Sequence, residues 1–152
     1  MSIAFKFEGY RVLLVHNQDG FWDDIHLRLV DTDCSLFAVN SAKDALSLIT
    51  MMNFDIIISD SQLSDSSGMT LLQSASMTNQ DAVKIMHHRK SDDDIRWHLI
   101  LEGVDALDQK YLEIYGILSI LSDPSSDKHE RTGHDIGRVF EELRVENSVS
   151  LH

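Results

Sequence analysis

Phe54-Asp55-Ile56-Ile57-Ile58-Ser59-Asp60 decides how this chain folds. The run Ile56-Ile57-Ile58 has no polar position to turn toward water, and it is too short for a buried helix. A strand of this kind must be covered on both faces, the condition met in a parallel sheet between two helix layers. Val12-Leu13-Leu14-Val15 reads the same way upstream. Weaker strand candidates are Ser35-Leu36-Phe37-Ala38-Val39, Val83-Lys84-Ile85-Met86, and Ala106-Leu107 with its flanks.

Helical spacing fills the intervals. Phe21, Ile25 and Leu29 recur every fourth residue, and Ala42, Ala45, Leu46 and Ile49 follow Ser41, whose pairing with Asp44 resembles a capping box. Gly68 opens a segment carrying Leu71, Leu72 and Ala75. Ser91 with Asp94 reads as a second capping box, before a fourth helix bearing Ile95, Trp97, Leu99 and Ile100. Ile114, Ile117, Leu118 and Leu121 supply a fifth helical face. Five strand-helix units in alternation predict a flavodoxin-like, doubly wound α/β fold, a five-stranded parallel sheet of order 2-1-3-4-5.

The boundaries follow from composition. Residues 1–9 read as an N-terminal arm or edge strand, 10–121 as the globular domain, and 122–133, which hold the only proline, Pro124, as a linker. Ile136, Val139, Phe140 and Leu143 predict an extra amphipathic C-terminal helix over 134–147, with 148–152 as a tail. That helix either packs back on its own domain or meets a partner.

With 152 residues, 43% of them hydrophobic, the chain suits one core of ordinary size. A formal charge of −12 argues against nucleic-acid binding. The single cysteine, Cys34, rules out an intramolecular disulfide framework and a Cys-based zinc site. No apolar run reaches the roughly 20 residues that span a bilayer, so no membrane segment is expected and a cytoplasmic location is.

In a doubly wound sheet the functional crevice lies beyond the carboxyl ends of the strands. The residues at those ends are polar: His16, Asn17, Gln18 and Asp19 after the first strand, Ser59 and Asp60 at the third, His87 and His88 at the fourth, and Lys110 near the fifth. The expected strand order makes Asp60 central, with His16, Asn17 and His87 as neighbours.

Here the sequence resembles the response-regulator receiver domains of two-component phosphorelays, over residues 10–121. Two stretches carry the likeness. One runs from Phe54 through Asp60 and Leu63 to Gly68, and the other is Gly103-Val104-Asp105-Ala106-Leu107-Asp108-Gln109-Lys110. The resemblance implies Asp60 as phosphoacceptor and Lys110 and His87 as phosphoryl-binding residues. It also implies a weak magnesium site at Asp60, Asn17 and Gln62. The chain departs from the family at His16-Asn17, where an acidic pair is usual, and Asp19 or Asp23 is the nearest carboxylate that could substitute. It departs again at His87, where a Ser or Thr hydroxyl is usual, at Leu107 in place of an aromatic, and at Tyr111 in place of a proline. Trp97, on the expected fourth helix, lies on the face that receivers commonly use for partner contact.

The implied protein is an atypical or pseudo-receiver. It stands alone, is not an enzyme, and acts through contacts with a sensor histidine kinase, another signalling protein or a second copy of itself. Asp60 and Lys110 could equally form a permanent ion pair. Two rival readings are a conventional phosphoryl-accepting regulator and a flavodoxin-like small-molecule or transition-metal binder, the metal held by His16, His87 and Asp60.

Overall fold

A computed structural model of the chain describes residues 6–17, 20–91, 94–100 and 110–122. Its elements are β1 (Arg11–Val15), α1 (Gly20–Val30), β2 (Ser35–Val39), α2 (Ala42–Met51), β3 (Ile56–Asp60), α3 (Gly68–Thr78), β4 (Val83–Ser91), β5 (Asp94–Ile100) and α4 (Tyr111–Ser122). The sheet has the order β2-β1-β3-β4-β5, and β2, β1, β3 and β4 run parallel.

The two-sided strands divide the core. Val12 and Leu14 of β1 and Ile56 and Ile58 of β3 pack with Trp22, Ile25 and Leu29 of α1 and Ile117 and Leu118 of α4. Leu13, Val15 and Ile57 point the other way and pack with Ala45 and Ile49 of α2 and Leu71 and Leu72 of α3. Three consecutive isoleucines can be fully buried only in this arrangement, because successive strand side chains alternate between faces.

At residues 94–100 the structure corrects the sequence reading. The segment is a strand, not a fourth helix, and it runs antiparallel to β4, so the sheet is parallel except at this edge. Ser91 and Asp94, read as a helix cap, are strand partners across the connection. The chemical reason lies in Ile95-Arg96-Trp97-His98-Leu99, which alternates apolar and polar as well as it fits a helical face. In the observed register His87 faces Trp97 and Ile85 faces Leu99, so Trp97 and Leu99 join the α1 side of the core. The strand expected at Ala106-Leu107 and everything expected beyond Ser122, including the C-terminal helix, lie outside the described residues. At the other end, residues 6–10 form a turn, in which Phe7 is buried and donates its N–H to the Thr32 carbonyl.

β5 finishes with Ile100 opposite Lys84, at the end of the sheet where β3 begins rather than where Asp60 ends it.

Long-range caps lock the layers. The Ser41 hydroxyl accepts the Asp44 N–H at 3.1 Å, and the Asp65 carboxylate, from the β3–α3 loop, accepts the Ala42 and Lys43 N–H groups at 2.8 and 3.0 Å. Arg28 of α1 is paired with Asp24 and donates to the Ile120 and Leu121 carbonyls, placing positive charge at the C-terminal end of α4. Buried Asn79 accepts the Phe54 N–H at 2.6 Å and donates to the Ile49 carbonyl, tying the start of β3 to α2. Among the described residues, no helix is long and apolar enough to cross a membrane.

The N–H groups of Ala42 and then Lys43 hold the Asp65 carboxyl below its ordinary range. A depressed folded value means that this contribution is complete above the unfolded pKa and is lost as pH falls through the folded one. Asp65→Ala should therefore lower the urea midpoint at neutral pH, and the gap from the parent should close as pH falls below about 4. A gap that is constant with pH would show that the carboxylate is not the stabilising group.

Candidate functional site

Asp60 is the last residue of β3 and faces His87 of β4 in register. The chain then turns: Ser61 donates its N–H to the His87 carbonyl and Gly68 donates to the Ser61 carbonyl, both at 2.8 Å. Gly68 starts α3 against the Asp60 backbone, where a Cβ would stand 2.0 Å from the Asp60 carbonyl oxygen. Only glycine fits there. Beyond this turn lies a cleft of about 170 Å³ lined by Asn17, Asp60, Ser61, Gln62, His87, His88 and Arg89.

The Asp60 side chain is 18% exposed and accepts a long hydrogen bond, 3.4 Å, from the Gln62 N–H. Burial opposes its ionisation, but the His87 ring, the Gln62 amide and the Trp22 side chain outweigh burial and hold the carboxyl below its ordinary value. It is therefore ionised at neutral pH. His87 is only 1% exposed. Its ring stacks on Phe21 with centroids 4.6 Å apart and abuts Trp97 at 4.8 Å and Trp22 at 5.0 Å. Its Nδ1 is 3.8 Å from Asp60 Oδ1, too far for a hydrogen bond, and neither ring nitrogen has a hydrogen-bond partner.

On the β1 side, Asn17 donates from Nδ2 to the Gln62 carbonyl at 2.6 Å. His16 donates from Nδ1 to the Asn17 carbonyl at 2.6 Å and stacks on Trp22 at 5.2 Å. Magnesium takes several hard oxygen ligands. Among the described residues Asp60 is the one carboxylate lining the cleft, and Asn17 turns a nitrogen, not an oxygen, toward Gln62. The residues present do not fit a magnesium ion. They do not gather His16, His87 and Asp60 into a transition-metal site either, since no cluster of three such ligands occurs among the described residues. Asp19 lies outside them.

Two expected site residues stand elsewhere. Lys110 precedes α4 with its Nζ 3.8 Å from Glu113, whose carboxylate lies against Tyr10. Burial first, and then Glu113, raise the Tyr10 pKa. Tyr10 leads into β1, so Lys110 sits at the end of the sheet opposite Asp60. It cannot clamp a group on Asp60 or pair with it from there. Trp97 is the other: on β5 and 5% exposed, it is core beneath His87 and not a surface for partners.

Arg89 is a charged lining residue that sequence reasoning missed. Its guanidinium carbon lies 5.2 Å from the Phe21 ring centroid. The available signal was the alternation Val83, Ile85, His87, Arg89, which continues the strand beyond its apolar part.

No protein-family model matches the sequence, and no curated protein is similar to it. Solved structures do match. A response regulator receiver domain protein (CheY-like) from Methanospirillum hungatei is 18% identical, with a TM-score of 0.51 over 88% of this chain and 98% of the other. An uncharacterized protein from Neptuniibacter caesariensis is 18% identical with a TM-score of 0.50, over 53% of this chain and 60% of the other. The signal receiver domain of an HD domain-containing protein from Pseudomonas fluorescens is 23% identical with a TM-score of 0.49, over 57% and 63%. This chain thus spans less than two thirds of the length of the last two. The similarity to the Methanospirillum domain is a similarity of fold.

Gly68→Ala should destabilise the protein by about 3 kcal/mol, the upper end for overpacking a rigid site, because the obstacle is backbone. Urea unfolding monitored by circular dichroism measures it. A loss below about 1 kcal/mol would mean that α3 can slide away from Asp60 at little cost.

Proposed function

We propose that this chain, which has the fold of the response-regulator receiver domains, is a signalling domain of that type with Asp60 as its phosphoacceptor and a degraded magnesium site. The observation that carries the reading is the placement of Asp60. An ionised, partly exposed carboxylate ends the central strand of a doubly wound sheet and opens onto a cleft, where this architecture puts its chemistry.

In the proposed reaction an Asp60 carboxylate oxygen attacks the phosphorus of a donor, either acetyl phosphate or a phosphohistidine on a sensor kinase. A P–O bond forms to Asp60, and the P–O bond to acetate, or the P–N bond to histidine, breaks with its electrons leaving on that group. Magnesium contributes little, because Asn17 supplies an amide where the family has an acid. The phosphorylated state acts through protein-protein contacts rather than by turnover of a released substrate. His87 replaces the usual hydroxyl, and its ring is wedged between Phe21, Trp22 and Trp97. A new charge on Asp60 therefore acts on the α1 and β5 side of the core through His87, not through a swinging hydroxyl.

Intact-mass spectrometry after incubation with acetyl phosphate tests this. The parent should gain about 80 Da, Asp60→Asn should not, and chelating magnesium should slow the gain by less than about tenfold. No adduct on folded parent protein, with or without magnesium, would overturn the assignment of Asp60. A far larger dependence on magnesium would instead favour a conventional receiver.

A further inference from the structure

We infer that the outer face of α2 and α3 is an interface whose occupant is a second copy of this chain, packed helix pair against helix pair about a twofold axis. This is independent of the role of Asp60.

Charge gives the first observation. Charged residues make up 25% of the chain, yet none occurs from Ala45 to Phe54 or from Ser66 to Gln80, stretches that hold most of α2 and the whole of α3. Four of the six methionines fall in these stretches. Three of them, Met51, Met69 and Met77, are exposed together with Leu46, and Met51 and Met77 keep 76% and 79% of their surface in water. Exposed apolar side chains on the other layer stand among charges: Leu27 on α1 has Asp23, Asp24 and Arg28 within about one turn, and Leu112 on α4 lies between Lys110 and Glu113.

The two helices make one rigid face. Asp65, just ahead of α3, accepts the Ala42 N–H at the start of α2, and Asn79, which caps the end of α3, donates to the Ile49 carbonyl near the end of α2. Clamped at both ends, α2 and α3 run side by side in the same direction. The hydroxyls on them are already satisfied: Ser47 and Thr50 donate to the Lys43 and Leu46 carbonyls of their own helix at 3.2 and 2.8 Å, and Ser76 donates to the Leu72 carbonyl at 3.1 Å. Burying these hydroxyls orphans no donor.

The net charge of −12 points to a second copy. Two such chains repel wherever like charges are opposed, and on this face there are none to oppose. A face that meets itself must also be self-complementary, which neutral polar groups and adaptable methionines satisfy without matched charges. Helices of 10 and 11 residues are about 16 Å long, and a packed pair is about 20 Å across, a footprint of roughly 300 Å² against the roughly 800 Å² per partner of a standard interface. The dimer is therefore reversible, with a dissociation constant of roughly 0.1 mM.

Sedimentation velocity of the full chain from about 10 μM to about 1 mM reads the association, and methyl NMR of the methionines reads where it occurs. The parent should pass from monomer to dimer over that range. The Met51, Met69 and Met77 methyl signals should move with concentration, and that of half-buried Met86 should not. Because both copies carry the same side chain, Met77→Glu and Met77→Lys should each weaken dimerisation at least about tenfold, whereas their equimolar mixture should associate more tightly than either alone. Leu112→Glu, on the other layer, should stay within about twofold of the parent.

Sedimentation and methyl shifts that are constant up to about 1 mM would refute the second copy and leave the face to a partner of different sequence. Dimerisation that both Met77 variants retain would place the contact elsewhere, and a mixture no tighter than its components would refute the pairing of the face with itself. Circular dichroism verifies that each variant is folded, and the exposure of Met77 gives little reason for either substitution to unfold the chain.

Discussion

Everything in this fold depends on one demand, that β3 be dry on both sides. Ile56, Ile57 and Ile58 are fully buried, and each buried aliphatic side chain contributes about 2 kcal/mol only if helices close over both faces. That demand puts α1 and α4 on one side and α2 and α3 on the other. It also leaves the strand a single place for polar chemistry, the residue at which it meets water. Asp60 is that residue, and Gly68, pressed against its carbonyl, fixes how closely α3 approaches.

Much of this was legible in the sequence because it is local. Unbroken apolar runs at Val12 to Val15 and Ile56 to Ile58, the cap at Ser41, and Gly68 each announce an element or a boundary on their own. The parallel sheet and the position of Asp60 at a strand end follow from them, whereas the order of the strands is set by which of them pair. Residues 94–100 were misread because two periodicities coincide there: the spacing of Ile95 with Leu99 suits a helix, the spacing of Trp97 with Leu99 suits a strand, and burial against Ile85 and His87 decides for the strand. The displacement of Lys110 was illegible because it shows only in the contact of Glu113 with Tyr10, which no local pattern announces. Asp65 on the end of α2 and Arg28 on the end of α4 join residues 22 or more positions apart, and no local pattern announces them.

The cleft holds a different balance of charge from the one the family resemblance implies. The Asn17 to Gln62 hydrogen bond has a net worth of about 1 kcal/mol, so by itself it would weaken a competing cation only about fivefold. The larger change is the loss of acidic oxygens at His16-Asn17, which no rearrangement of one amide restores.

The reversed edge strand also bears on the order in which the molecule is assembled. β4 and β5 pair through neighbours in sequence, with Ser91 opposite Asp94, whereas β1 finds β3 across about 40 residues, with Val12 opposite Ile56. Hairpins close in roughly 1–10 μs, and non-local parallel pairings are slower because loop entropy is spent before contacts reward it. One edge of the sheet, with His87 and Trp97 already face to face, is thus a local unit that can serve as a template for β3. The part of the chain that departs most from an all-parallel sheet is the part least dependent on the rest to form.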